Sequence, residues 1–128
     1  MKSIPLWNPV NIENITGEYK ISGINQDAER TAYTGILKVS LDENNKIIAH
    51  WSINSDSQTM QGTGFYKDNM LVINFNYVGD DTTTYKGVAV YRIINANVLN
   101  GFWSEKHGDQ KFLGEEQCLR INTTDNKN

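Results

Sequence analysis

The sequence predicts an all-β fold, an eight-stranded antiparallel up-and-down barrel. Apolar and polar residues alternate with period two in eight consecutive segments, as expected for strands that have one buried face. The links between these segments are short and rich in Asn, Asp and Gly, so successive strands should pair antiparallel. Glycines also recur inside the strand patterns, where they are tolerated if the sheet bends or a large neighbour needs room. These glycines are Gly35, Gly62, Gly64, Gly87, Gly101 and Gly114.

The strand boundaries follow from this alternation and from the turn residues on either side. No segment shows helical periodicity over ten residues, and the chain of 128 residues suffices for one domain with its own core. The predicted strands are Gly17–Gly23, Ala32–Leu41, Lys46–Ile53, Thr59–Tyr66, Met70–Val78, Tyr85–Ile94, Val98–Ser104 and Lys111–Ile121.

Two segments lie outside the predicted barrel domain, which spans residues 15–121. Residues 1–14 contain Pro5 and Pro9, which disfavour a long helix, and Trp7, which needs burial. We therefore expect this segment to pack over one end of the barrel. Residues 122–128 are polar and are expected to fray.

Hairpin geometry predicts an approximate register, in which a large residue repeatedly meets a small one on the same face. Such pairing fills a narrow barrel without clashes. The predicted pairs are Tyr66 with Leu71, Gly64 with Ile73, Gly62 with Phe75, Ile93 with Leu99, Tyr91 with Gly101, Ala89 with Trp103, Ile53 with Met60, and Trp51 with Gly62. The predicted inward-facing residues are Tyr19, Ile21, Tyr33, Leu37, Val39, Ala49, Trp51, Ile53, Met60, Tyr66, Leu71, Ile73, Phe75, Tyr85, Ala89, Tyr91, Leu99 and Trp103.

The eighth strand is ambiguous, because two alternating sets of residues could face inward. The first set is favoured because Gly114 continues the glycine pattern. It would bury Glu116, and a buried carboxylate must be paired, hydrogen-bonded or protonated. Glu116 could then anchor a ligand or act as a general acid or base, or it could lie near the rim and meet Arg120 or a tyrosine hydroxyl. The two sets are Phe112, Gly114, Glu116 and Cys118 against Leu113, Leu119 and Ile121.

A set of inward aromatic and polar residues could hold a ligand inside the barrel. Tyrosine and tryptophan combine a large ring with one hydrogen-bonding group. Eight strands leave an interior that is either plugged by side chains or just wide enough for one small molecule, so a filled core is the alternative. The candidate ligand-binding residues are Tyr19, Tyr33, Trp51, Tyr91, Trp103 and Glu116.

A second set of apolar residues falls on the outer face of consecutive strands, and we call it the outer row. Connected apolar surface of this kind is unusual in a monomer. Loops or the N-terminal segment could cover the outer row. The alternative is a sheet-to-sheet contact between copies, and we predict a homo-oligomer through this row. The outer row consists of Ile48, Phe65, Val72, Val90 and Phe102.

Composition argues against several classes of partner and cofactor. The net charge is -3 without a basic stripe, so nucleic acid is not an expected partner. No stretch approaches the roughly 20 apolar residues of a membrane span, and the start lacks the apolar run of a secretory signal. Cys118 is the single cysteine, which fits a reducing, cytoplasmic location. His50 and His107 lack partners at metal-ligand spacing, so neither a metal nor another cofactor is predicted.

The order of glycine and aromatic motifs resembles a family of small, largely uncharacterised bacterial β-barrel proteins, some of which carry a fibronectin-binding label. More distantly, the layout is similar to calycin barrels, the lipocalins and avidins, with Gly17-Glu18-Tyr19 where a lipocalin has Gly-x-Trp. The calycin resemblance implies a ligand cavity. The motifs are Gly17-Glu18-Tyr19, Tyr33-Thr34-Gly35, Trp51-Ser52-Ile53, Gly62-Thr63-Gly64, Gly87-Val88-Ala89-Val90-Tyr91, Leu99-Asn100-Gly101-Phe102-Trp103 and Gly114-Glu115-Glu116.

The sequence therefore favours non-enzymatic binding of a small, partly apolar molecule inside the barrel. The alternative is a protein-interaction or structural module with a filled barrel, which acts through the outer row. A third hypothesis is an isomerase or cyclase, which would need a tuned Glu116 or tyrosine.

Overall fold

The computed structural model describes residues 10–121, which fold into a closed antiparallel barrel whose strands are joined in chain order. The predicted fold class is confirmed. In this part of the chain no helix is long and apolar enough to cross a bilayer. The elements are α1 (Ile12–Ile15), β1 (Gly17–Ile24), β2 (Ala32–Leu41), β3 (Ile47–Ile53), β4 (Gln58–Lys67), β5 (Met70–Val78), β6 (Thr84–Asn95), β7 (Val98–Glu105) and β8 (Gly114–Arg120).

The last strand begins three residues later than predicted. Asp109 draws the chain into a turn, since its side chain accepts a hydrogen bond from the Lys111 amide and its carbonyl accepts one from Phe112. The favoured orientation of this strand is confirmed, because Glu116 and Cys118 are buried while Leu119 is half exposed.

The predicted register is confirmed for β4–β5 and β6–β7 but is wrong for β3–β4. Trp51 lies opposite Met60, and Gly62 lies opposite Ala49. The turn at residues 54–57 places three successive non-glycine residues at positive φ, so the hairpin closes in four residues and Ile53 pairs with Gln58. The error of two positions leaves every side chain on its predicted face.

Large rings lie over glycines of the neighbouring strand, as the glycine pattern predicted. A Cβ added to Gly114 would lie 2.0 Å from the Trp103 ring, and one added to Gly23 would lie 2.2 Å from the ring of Tyr33. Each of these glycines therefore provides the space that a ring occupies. The four ring and glycine pairs are Tyr33 with Gly23, Phe75 with Gly87, Tyr91 with Gly101, and Trp103 with Gly114.

The two ends of the barrel differ. At one end, which we call the closed end, Val10 and Ile12 pack against the core and Ile15 is fully buried. The other end, which we call the open end, carries the β1–β2, β3–β4, β5–β6 and β7–β8 connections. Of the two predicted flanking segments, residues 1–9 and 122–128 lie outside the described residues.

Arg120 ties the closed end together. Its Nε donates to the Ala96 carbonyl (3.0 Å), its Nη1 to the Thr16 carbonyl (2.8 Å), and its Nη2 to the Asn14 carbonyl (2.6 Å) and the Tyr19 hydroxyl (2.9 Å). The Tyr19 hydroxyl in turn donates to the Ile15 carbonyl (2.6 Å). The chain entering β1 is thus fixed to the chain leaving β8 by one guanidinium.

The outer row is continuous across four strands. Phe65 lies opposite Val72, Val72 opposite Val90, and Val90 opposite Phe102. Phe65 is 61% exposed and Phe102 is 48% exposed. Ile48 pairs with Thr63 rather than with Phe65, so it lies diagonally beside the row.

Candidate ligand site at the open end of the barrel

A cavity of about 100 Å³ lies inside the open end. Asn25 and Gln58 contribute amides to its lining, and Glu105 and Glu116 contribute carboxyl groups. The rest of the lining is dominated by rings. These are Tyr33, Trp51, Phe75, Tyr77, Tyr91 and Trp103.

Glu116 is held in the wall of this cavity by two tyrosines. The residue is only 5% exposed. The Tyr33 hydroxyl donates to Oε2 at 2.5 Å, and the Tyr91 hydroxyl donates to Oε1 at 2.5 Å. The Cys118 thiol lies 3.9 Å from Oε1, the distance of a weak hydrogen bond involving sulfur. Both carboxyl oxygens therefore accept at least one hydrogen bond.

Two tryptophans fix the direction of these hydrogen bonds. Trp103 Nε1 donates to the Tyr33 hydroxyl oxygen at 2.9 Å, and Trp51 Nε1 donates to that of Tyr91 at 3.0 Å. An indole N–H can only donate, so each tyrosine oxygen accepts from a tryptophan and is free to donate to Glu116. The arrangement that pairs all of these hydrogens is the one in which Glu116 accepts at both oxygens, as an ionised carboxylate does.

Strand register explains how both tyrosines reach one carboxyl group. Glu116 on β8 lies opposite Gly23 on β1 and Gly101 on β7. Tyr33 lies opposite Gly23 on the far side, and Tyr91 lies opposite Gly101. Each phenol therefore crosses a strand that has no side chain at that position. Without the two glycines, a Cβ would occupy the path of each ring.

Burial dominates the electrostatics of this cluster. It raises the pKa of Glu116 above the usual 4.5, while the hydrogen bonds from the tyrosines oppose that rise. Burial, and then the neighbouring Glu116, raise the pKa of Tyr33 and of Tyr91. The pKa of the Cys118 thiol is raised by the same two causes, so this cysteine is not poised as a nucleophile.

Within residues 10–121 no cationic side chain pairs with the carboxyl group of Glu116. Over residues 10–121 the ion pairs are Arg30 with Glu115 on the surface and Lys67 with Asp68 in a turn. Within the same range no three His, Cys, Asp or Glu side chains gather as a metal site would require. Glu116 is thus solvated by neutral donors alone.

The mouth of the cavity carries the second carboxyl group. The Tyr77 hydroxyl donates a short hydrogen bond to Glu105 Oε2, and the Glu105 backbone N–H donates to Gln26 Oε1 at 3.0 Å. Tyr77 also stacks on Tyr85 with ring centroids 5.3 Å apart. Burial, and then Glu105, raise the pKa of Tyr77.

The aromatic rings of the interior meet edge to face. Phe75 lies between the two tryptophans, with ring centroids 6.0 Å from Trp51 and 6.2 Å from Trp103. Tyr33 and Trp103 form a further pair at 6.4 Å. Such edge-to-face pairs favour defined ring positions.

The structure brings together five of the six residues that the sequence nominated. Tyr33, Trp51, Tyr91, Trp103 and Glu116 all line the cavity. The sixth, Tyr19, is buried at the closed end, where its hydroxyl bonds to Ile15 and Arg120.

Of the lining residues that sequence reasoning missed, Tyr77 and Glu105 are the two that the inward alternation could have identified. Both continue an inward alternation that the sequence displays: Tyr77 follows Phe75 by two positions, and Glu105 follows Trp103 by two. The predicted seventh strand ended one residue too early, which removed Glu105 from consideration.

Comparison with known proteins supports the fold. No family model matches the chain, and no curated protein does. A redesigned β-barrel matches with a TM-score of 0.62 at 11% identity, over 86% of this chain and 94% of that one. A protein of unknown function from the DUF3598 family of Nostoc punctiforme matches with a TM-score of 0.51 at 13% identity, over 88% of this chain and 49% of that one. At these identities the likeness concerns the barrel alone, and the resemblance to the small bacterial family stays a prediction.

Proposed function

We propose that the protein binds a small, partly apolar molecule in the open end of its barrel and does not transform it. The observation that carries this proposal is the cavity of about 100 Å³ with aromatic walls and one hydrogen-bonded carboxyl group. Apolar walls with a few convergent polar groups are typical of ligand sites.

The size of the cavity limits the ligand. Sites for drug-sized molecules measure about 300–1,000 Å³, and an engineered cavity of about 150 Å³ is known to hold benzene. The buried part of the ligand is therefore smaller than benzene, on the order of five non-hydrogen atoms. Any larger portion would lie at the mouth, beside Tyr77 and Glu105.

A catalytic function has less support than binding. Both oxygens of Glu116 already accept hydrogen bonds from phenols. The raised pKa values of Tyr33 and Tyr91 keep these phenols protonated near neutral pH. The hydrogen bonds from the phenols also oppose the rise in the pKa of Glu116, and a phenol that acts as general acid or base would need a pKa near the working pH.

A filled-cavity variant tests the proposal. Ala89 is 3% exposed and lines the cavity, so Ala89→Leu would occupy the space without adding charge. Ala32→Leu, at an exposed position, is the matched control. With isobutanol as probe, we expect the indole N–H signals of Trp51 and Trp103 to shift in the native protein and in Ala32→Leu but not in Ala89→Leu.

Two results would contradict the binding proposal. One is the absence of any shift of these indole signals in the native protein at millimolar isobutanol. The other is an equal shift in the folded Ala89→Leu variant. If that variant does not fold, Ile53→Phe narrows the same cavity and replaces it.

The outer row supports a second candidate function, self-association. Four of its residues are in direct register and two phenylalanines are largely exposed. Complete burial of an exposed phenylalanine contributes about 1.5–3 kcal/mol, and covering these partly exposed rings contributes roughly half of that. Phe65→Asp should then abolish any oligomer seen by sedimentation, whereas Val78→Asp, at an exposed apolar position outside the row, should not. A native protein that sediments as a monomer at high concentration would exclude this function.

A further inference from the structure

We infer that the ligand of the open-end cavity is a small organic cation, an ammonium compound with a short apolar body. This inference rests on the proposed function and specifies the chemical class of its ligand. It follows from which hydrogen-bonding groups of the cavity are already used and which are still available.

The donors of the inner cavity are used. The indole N–H groups of Trp51 and Trp103 donate to tyrosine oxygens, and the hydroxyls of Tyr33 and Tyr91 donate to the carboxyl oxygens of Glu116. At the mouth, the Tyr77 hydroxyl donates a hydrogen bond to the Glu105 carboxyl group. An anionic or carbonyl ligand in the inner cavity would have to break one of these bonds to obtain a donor, because the other side-chain donors of the lining, the amides of Asn25 and Gln58, lie at the mouth.

Acceptor capacity is available where donor capacity is not. A carboxylate offers about four lone-pair sites, and on Glu116 the two phenols occupy two of them and the Cys118 thiol weakly occupies a third. Glu105 and Glu116 are the two charged residues of the lining, and both are acidic. Neither forms an ion pair within residues 10–121. A ligand with N–H donors and a positive charge would fill the remaining acceptor sites and would also pair with the acidic side chains.

The aromatic walls fit the same class of ligand. Rings attract cations through the negative charge on their faces, and the attraction grows when water is excluded. Trp51, Phe75, Tyr77 and Trp103 surround the cavity. They also provide apolar area for a short hydrocarbon body, so a cation with no apolar part would use only half of the site.

Two probes of equal size separate charge from shape. Isobutylammonium and isobutanol have the same branched carbon body and the same number of non-hydrogen atoms, and they differ in charge and donor number. Titration of the native protein, followed by the indole signals of Trp51 and Trp103, should give about tenfold tighter binding of isobutylammonium. No variant is needed for this comparison.

Paired variants assign the preference to residues. Glu116→Gln should remove most of the preference for the ammonium probe. Glu115→Gln makes the same change in net charge one residue away, on the exposed face, and should retain the preference. Glu105→Gln should reduce it partly, and this variant replaces Glu116→Gln if the latter does not fold.

The outcomes separate this inference from the proposed function. Equal or tighter binding of isobutanol would overturn the cation inference and leave the proposed function standing. A preference that survives in folded Glu116→Gln and Glu105→Gln would also overturn it, because the charge would then act from elsewhere. If neither probe shifts the indole signals, the proposed function itself fails.

Discussion

Each end of this barrel holds one ionisable side chain, and the two side chains are hydrogen-bonded in opposite ways. At the closed end a cation, Arg120, donates mainly to backbone carbonyls of segments that are far apart in sequence. At the open end a carboxyl group, Glu116, accepts from two phenols. The closed end is filled by Ile15 with Val10 and Ile12 beside it, whereas the open end keeps a cavity.

This difference indicates where stability and function reside. Contacts to backbone carbonyls lock the position of the chain, so the closed end resembles a clamp. The bonds around Glu116 join side chains only, which can change partners without moving a strand. We therefore expect changes at the closed end to lower the free energy of unfolding, and changes at the open end to alter the cavity with a smaller loss of stability.

The largest expected effect comes from Ile15→Ala at the closed end. Ile15 is fully buried, and a cavity-forming Ile→Ala change costs about 2–5 kcal/mol. Chemical denaturation should show this loss, and binding of isobutanol at the open end should be unchanged. Ile94→Ala, at a half-exposed position, is the control and should change stability by less than about 0.5 kcal/mol. A similar loss of unfolding free energy in both variants would contradict the conclusion that Ile15 fills the closed end.

A smaller effect is expected from Gly23→Ala at the open end. The new Cβ would fall 2.2 Å from the Tyr33 ring, so the ring must move away from Glu116. Overpacking of this kind costs about 1–3 kcal/mol. The diagnostic sign is a shift of the Trp103 indole N–H signal, because that group donates to Tyr33. Ser22→Ala, on the outer face of the same strand, should leave the signal in place.

The overall fold could be predicted because its determinants are local. Period-two alternation assigned the strands, and the Asp68-Asn69 turn, with both residues at positive φ, fixed one register. The pairing of rings with glycines was visible as well, at Tyr91 with Gly101 for example. These features need no knowledge of which residues meet across the barrel.

The candidate site could be predicted only in part, because it depends on contacts between distant strands. Alternation places Tyr19 and Tyr33 on the same inner face, but only the closed barrel reveals that they lie at opposite ends. The bond from Trp103 to Tyr33 joins residues that are 70 positions apart. The turn after Ile53 misled the register because the hairpin closes in four residues, with Ile53 opposite Gln58, whereas the predicted pairing of Ile53 with Met60 required six.

Arg120→Lys tests whether the clamp at the closed end depends on the shape of the guanidinium. A lysine keeps the charge but cannot donate in several fixed directions at once. We expect a loss of about 1–2 kcal/mol in the free energy of unfolding. Arg92→Lys, at an exposed position on β6, should be neutral. Equal stability of Arg120→Lys and the native protein would mean that charge alone matters.

The smallest expected effect is a change in how stability depends on pH when Glu116 is replaced. Because burial raises the pKa of Glu116 in the folded protein, the folded state still holds this proton at pH values just above 4.5, where the unfolded chain has released it. The native protein should therefore lose stability relative to Glu116→Gln as the pH rises from 4.5 through the raised pKa. Other groups, such as Asp27 and Asp81, titrate in both proteins and cancel in the difference. A difference that stays constant, or that grows in favour of the native protein as the pH rises, would show that the phenols outweigh burial at the open end.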